Sequence, residues 1–276
     1  MKTFFVNMPL SWIADDRTWL RRMIAMGIRP ELGLDVRSMD ERAPAWHRGV
    51  ADELRDAGLA CSVHLPFIDL VPGSPDPVMR QASQSRLERA MDLVAIHQPE
   101  LCIAHAAFFQ AMYQDQEAAW LEAAVTTWST LDAARPEHPP IFLENVFETD
   151  PAPLADLIAQ LPQGRFGVCL DIGHWHCFAR GHAAPDPAAD LERWLDALAP
   201  RLGHLHLHDN DGSFDQHLGL GLGTIPLDAL WQGLDRRGLA AGHNLGVTLE
   251  PHTEQDLMAC LDYLESHPHA IAPPRG

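Results

Sequence analysis

A chain of 276 residues, 46% of them hydrophobic, can bury a substantial core, and a single α/β barrel commonly reaches this size. Its formal charge of −18 repels polyanions, and no run of Lys or Arg offers a stripe that would track phosphates, so tight binding to long nucleic acid is disfavoured. No apolar run is long enough to span a bilayer, and the five cysteines, Cys61, Cys102, Cys169, Cys177 and Cys260, are scattered, odd in number and without a C-x-x-C pair, which reads as reduced core thiols in a cytoplasmic protein.

The opening MKTFFVN is apolar, but Asp15 and Asp16 arrive too early for a secretory leader. Short apolar runs then recur and are expected as strands: TFFVN (3–7), ELGLD (31–35), ACSVHL (60–65), LCIAH (101–105), IFLEN (141–145), FGVCLD (166–171), GHLHLH (203–208) and GVTLE (246–250). Segments between them repeat apolar residues at three and four positions and are expected as helices: 16–28, 79–97, 117–134, 187–200 and 254–266. Parallel strands need helical crossovers, and closing the sheet removes its edges, so eight β–α repeats predict a single (β/α)8 barrel over residues 1–276, with 266–276 a surface tail. The rival, a doubly wound open sheet, lacks its glycine-rich fingerprint after the first strand. GLGLGTIP (219–226) comes late and reads as a tight turn, while VPGSPDPV and HAAPDPAAD read as loops or helix starts.

The ionisable residues of these runs are not spread evenly. His64, His105, Glu144, Asp171, His206 and Glu250 all fall at or near C-terminal strand ends, which share one mouth in a parallel barrel. Buried charges without partners are costly, so six at one edge point to metal binding more than to six separate structural roles. Imidazole with carboxylate suits zinc, manganese, iron or cobalt, and the absence of thiolates argues for a catalytic site over a structural knot. His174 follows Asp171 by three residues, with Gly173 allowing a tight turn that brings both to one centre. Asp215 and His217, two apart, can grip one ion from an extended segment. His204, His206 and His208 alternate with Leu and share one strand face; they cannot all be ligands of one ion. Cys102, Cys169 and Cys177, set within or beside apolar stretches, are read as core packing.

SVHLPF, AHAAFF, FLENVFE, CLDIGHWH, HLHLHDNDGSFDQHLGLGLGTI and TLEPH, in this order and spacing, resemble the xylose isomerase-like TIM barrel superfamily, which includes endonuclease IV and the sugar phosphate isomerases and epimerases. The resemblance runs over nearly the whole chain. It implies a four-ligand centre of Glu144, Asp171, His206 and Glu250; the endonuclease IV pattern adds His64, His105, His174, Asp215 and His217. His206 is preferred over His208, an assignment open to a shift of one inward-facing position. The implied cofactor is one to three divalent ions, zinc or manganese foremost. The leading implied activity is a metal-dependent sugar or sugar-phosphate isomerase or epimerase, with Glu144 and Glu250 moving the proton at carbon. The alternatives are a trinuclear hydrolase of a phosphodiester, in a small molecule before DNA, and a non-catalytic metal- or ligand-binding barrel. The expected partner is a small carbohydrate or phosphate ester, with no membrane and with nucleic acid disfavoured; monomer and homodimer both stay open. Glu31 is weighed as a substrate contact and not adopted.

Overall fold

The computed structural model describes residues 4–113, 115–239 and 245–268. Eight strands run parallel, each beside the next: β1 (Phe5–Pro9), β2 (Arg29–Gly33), β3 (Ser62–His64), β4 (Cys102–His105), β5 (Ile141–Glu144), β6 (Phe166–Asp171), β7 (Leu202–Leu207) and β8 (Gly246–Leu249). β8 pairs back onto β1 through Phe5 with Thr248 and Val6 with Leu249, which closes the barrel. This is the expected (β/α)8 architecture.

Period-two alternation explains why the barrel holds together and why it has a polar inside. Val6, Leu32, Val63, Ile141, Leu143, Val168, Leu170, Leu205, Leu207, Val247 and Leu249 join the buried core shared with the helices. The alternate positions carry Glu31, Ser62, His64, Glu144, Asp171, His204, His206 and Thr248, all buried. Trp120, Trp128, Trp175 and Trp194 are fully buried in the same structure, and all five cysteines are buried and free.

The expected helices at 117–134 and 254–266 are observed as Glu117–Ala134 and Glu254–Ser266; the others are Thr18–Met26, Pro77–His97 and Pro187–Leu198. The proline-rich stretches are helix starts: Asp76 and Asp186 cap the backbone N–H groups of Val78 and Ala189, with Pro77 and Pro187 in the first turns. Each such cap contributes about 1 kcal/mol. β1 spans Phe5–Pro9 against the expected 3–7, residue 3 lying outside the described residues, and β2 spans Arg29–Gly33 against the expected 31–35. The physical cause at β2 is Asp35, which leaves the sheet to cap the helix Val36–Glu41 by accepting from the Ser38 N–H at 2.8 Å. Of the expected tail 266–276, Ser266 ends the last helix and 269–276 lie outside the described residues. Among the described residues no helix is long and apolar enough to cross a membrane.

Candidate metal centre

Strand register brings the ligand candidates to one end. His105 pairs with Glu144, Asp171 with His206 and Gly33 with His64, while the Glu250 N–H donates to the Leu207 carbonyl just past β8. His174 arrives differently from the expected tight turn: Ile172–Cys177 is a short helix whose cap is Asp171, accepting from the His174 N–H at 2.7 Å. Gly173 is nonetheless required, because a Cβ there would lie 1.9 Å from the His208 ring. Asp215 and His217 come from the loop after β7, with His217 held at φ +52°, in the left-handed region.

All nine candidates lie at this one end in three neighbouring groups, the first two sharing Glu144. His64 Nε2 and His105 Nε2 lie 3.1 and 3.4 Å from Glu144 Oε2. His206 Nδ1 lies 3.4 Å from Glu144 Oε1, 3.3 Å from Glu250 Oε1 and 3.8 Å from Asp171 Oδ2. Asp215 Oδ2 lies 3.4 Å from His174 Nε2 and 2.9 Å from His217 Nε2. Ligands held at about 2.0–2.1 Å in a tetrahedral shell sit roughly 3.3 Å from one another, so these edges have the size of a metal's coordination shell.

The tautomers agree. His64 Nδ1 donates to the Leu65 carbonyl at 2.8 Å, His174 Nδ1 to the Asn145 carbonyl at 2.9 Å and His217 Nδ1 to the Glu250 carbonyl at 2.7 Å. A carbonyl only accepts, so in each neutral ring Nε2 carries the lone pair. Those lone pairs face carboxylate oxygens across about 3 Å, which requires a cation, proton or metal, between them. Asp171 Oδ2, Asp215 Oδ1 and both ring nitrogens of His206 and of His208 are buried without a hydrogen-bond partner among the described residues. Ligand atoms of His64, Glu144 and His206, of Asp171, His206 and Glu250, of Asp171, His174 and His208, and of His208, His217 and Glu250 lie within 4.8 Å of one another in each group, and groups of this chemistry fit a divalent ion.

Burial alone would raise the Glu144 carboxyl, but His206, His105 and His174 outweigh it and hold it well below the usual carboxylate range. Burial would likewise lower the His217 imidazolium, yet Asp215 and Glu250 lift it to about 9. Glu250 goes the other way, raised chiefly by burial.

Beneath the nine lies a layer that sequence reasoning missed or left aside. Glu31 is buried mid-strand, accepts from Ser62 Oγ at 3.0 Å and Thr248 Oγ1 at 2.7 Å, and sets Oε1 3.1 Å from His206 Nε2. It backs the ring of His206, leaving Nδ1 to face Glu144 and Glu250. His204 lies deeper, with Nε2 2.8 Å from Thr248 Oγ1. His208 remains at the centre's edge, 3.3 Å from Asp171 Oδ1 and 3.5 Å from Asp215 Oδ1, its ring stacked on His217 at 3.9 Å. Asn145 accepts from the Asp171 N–H and donates to its carbonyl, tying the ends of β5 and β6 together. Glu148, pushed up to about 7 by burial, accepts from the N–H groups of Phe108 and Val146 and joins the loops after β4 and β5.

Above the centre opens a cavity of about 710 Å³. Among solved structures, the chain is similar to a D-tagatose 3-epimerase-like protein, with 19% identity, TM-score 0.77 and coverage of 96% of this chain and 97% of that one. It is similar to a Thermus thermophilus protein whose structure followed ZnCl2 soaking, at 29% identity, TM-score 0.70 and coverage of 96% and 97%. Endonuclease IV from the same organism matches at 20% identity and TM-score 0.66, over 96% of this chain and 100% of that one. An uncharacterised protein of Methanocaldococcus jannaschii is 27% identical over 181 residues, 63% of this chain; the match spans 59% of that relative's length. Residues 27–267 match the family pattern described as the xylose isomerase-like TIM barrel, and the chain belongs to that family.

Proposed function

We propose that the chain hydrolyses a phosphodiester in a small molecule, using divalent ions held by the nine side chains. The observation that carries this reading is the outer group: Asp215 Oδ2 lies 3.4 Å from His174 Nε2 and 2.9 Å from His217 Nε2, beside two inner groups that share Glu144. Proton transfer at carbon needs a carboxylate oxygen that can reach the substrate; here both oxygens of Glu144 face histidines, His64, His105, His174 and His206, at 3.1–3.4 Å. When bound, the ions supply charge that activates water and stabilises the attacking and leaving oxygens. Glu144 bridges the inner groups and fixes their separation. Glu31 and the backbone carbonyls at Leu65, Asn145 and Glu250 fix the rings and their tautomers. Glu250, on the cavity wall beside His206, is placed to take the proton of the incoming water.

Charge sets polynucleotides apart from this substrate class. Arg17, Arg22, Arg29, Arg37, Arg55, Arg86, Arg135, Arg165, Arg193, Arg236 and Arg237 are each paired with a carboxylate, and no Lys or Arg lines the cavity among the described residues. A second reading, sugar epimerisation, is favoured by one feature: Glu144 and Glu250 approach the same His206 nitrogen from β5 and β8. The test is elemental analysis of zinc- or manganese-loaded protein together with turnover of bis(4-nitrophenyl) phosphate. About three ions per chain with diester turnover are expected. One ion, no turnover and solvent deuterium entering a ketose would replace hydrolysis by epimerisation.

A further inference from the structure

The two sides of the cavity differ in chemistry. On the β3–β6 side, Phe67 stacks on His105 at 4.4 Å, and Phe109, Phe147 and Phe178 form a chain with ring centroids 4.1 and 4.9 Å apart that ends against His174 at 5.4 Å. The β7–β8 side presents Asp215, His217 and His252. The loop after β3 leaves Ile68 67% exposed and the short helix Gln110–Tyr113 after β4 leaves Met112 64% exposed; both line the cavity, as does Phe67 at 44%. Single exposed apolar residues are ordinary, but a group of them around one polar centre marks a ligand surface.

A charged or sugar-rich substituent would meet rings without hydrogen-bonding capacity on this side. A flat ring would stack on them as His105 stacks on Phe67. We propose that the substrate is a phosphodiester in which one ester group is a flat, uncharged ring system, seated against Phe67 and Phe109 while the phosphate lies over the nine donors. This specifies the substrate class of the hydrolase reading and rests on it. In the reaction, water forms one new P–O bond and the P–O bond to one ester group breaks. The departing oxygen keeps the electron pair and takes a proton, yielding a phosphate monoester and an alcohol with no oxidation or reduction.

Glu148 supports this seat. Its carboxylate joins the N–H groups of Phe108 and Val146, each one residue before a ring on this side of the cavity, so Phe147 packs behind Phe109 of the seat.

The test is calorimetric titration of zinc-loaded protein with methyl 2-naphthyl phosphate, dimethyl phosphate and a thymidine oligonucleotide, with turnover read separately. The naphthyl diester is expected to bind about tenfold tighter than dimethyl phosphate, and the oligonucleotide weakest. Phe67→Ala with Phe109→Ala should bring the two diesters to within about twofold while bound zinc stays unchanged. Equal affinity for both diesters in the wild type, or tightest binding of the oligonucleotide, overturns the proposal. A naphthyl preference without hydrolysis of either diester supports the aromatic seat and removes the hydrolase reading instead.

Discussion

His217 offers the most informative single substitution, because its backbone and its ring make separable contributions. Its φ of +52° lies where an L-residue with a Cβ is strained by about 1–2 kcal/mol, a cost that glycine does not bear. Its ring donates to the Glu250 carbonyl at 2.7 Å, faces Asp215 at 2.9 Å and stacks between His208 and His252 at 3.9 and 3.8 Å. His217→Ala and His217→Gly both remove one of three donors from the outer group, and ion affinity there should fall at least about 100-fold, or about 2.7 kcal/mol. The Ala variant retains the strained Cβ and the Gly variant does not. Gly should therefore melt above Ala by about 1 kcal/mol, roughly 2–4 °C in a chain of this size. Elemental analysis after gel filtration measures the first effect and thermal unfolding in chelator the second. Retention of the full ion content by both variants would refute the outer-group assignment; Ala melting above Gly would refute the strain argument.

Glu31→Gln should preserve the bonds from Ser62 and Thr248 but turn an amide N–H towards His206 Nε2, moving the ring proton to Nδ1; ion affinity should drop about 10–100-fold in calorimetry with little loss of fold stability. Gly173→Ala places a Cβ against the His208 ring and should lower the urea midpoint by an amount equivalent to about 1–3 kcal/mol. Burial lowers His97 to about 3, its Nε2 lying 3.0 Å from His47 Nδ1. A depressed folded pKa means that this stability is complete above the unfolded value of about 6.5 and is lost as pH falls towards 3, amounting to about 2 kcal/mol by pH 5. Urea unfolding at pH 7.5 and pH 5 should show a smaller difference in His97→Gln, and parallel losses in the two proteins would contradict the assignment.

The sequence revealed long periodicity more readily than short. Helices such as Glu117–Ala134 were legible because several turns repeat the same apolar face, whereas Leu10–Asp15, Val36–Glu41 and Ile172–Cys177, at six residues each, contain under two turns. The convergence of His64, His105, Glu144, Asp171, His206 and Glu250 was legible because parallel strands share one C-terminal end. Glu31 was not, since its role depends on register placing Ser62 beside it and on Thr248 arriving from β8. The aromatic side was hidden for a similar reason: Phe67, Phe109, Phe147 and Phe178 come from four loops, and nothing in the spacing of any one loop announces the others. His206 and His208 both reach the centre, Glu31 lying behind the first and Asp171 and Asp215 beside the second.

The concentration of carboxylates at the mouth also bears on the order in which the protein fills. Glu31, Asp69, Glu144, Asp215 and Glu250 line the cavity and Asp171 joins the ligand groups below it, six acids with no arginine or lysine lining the same cavity among the described residues. Each divalent ion bound there cancels two of those charges, so an anionic ligand meets less repulsion at every step of loading. Cations entering first ease the approach of the anion, and anion affinity should rise with metal content.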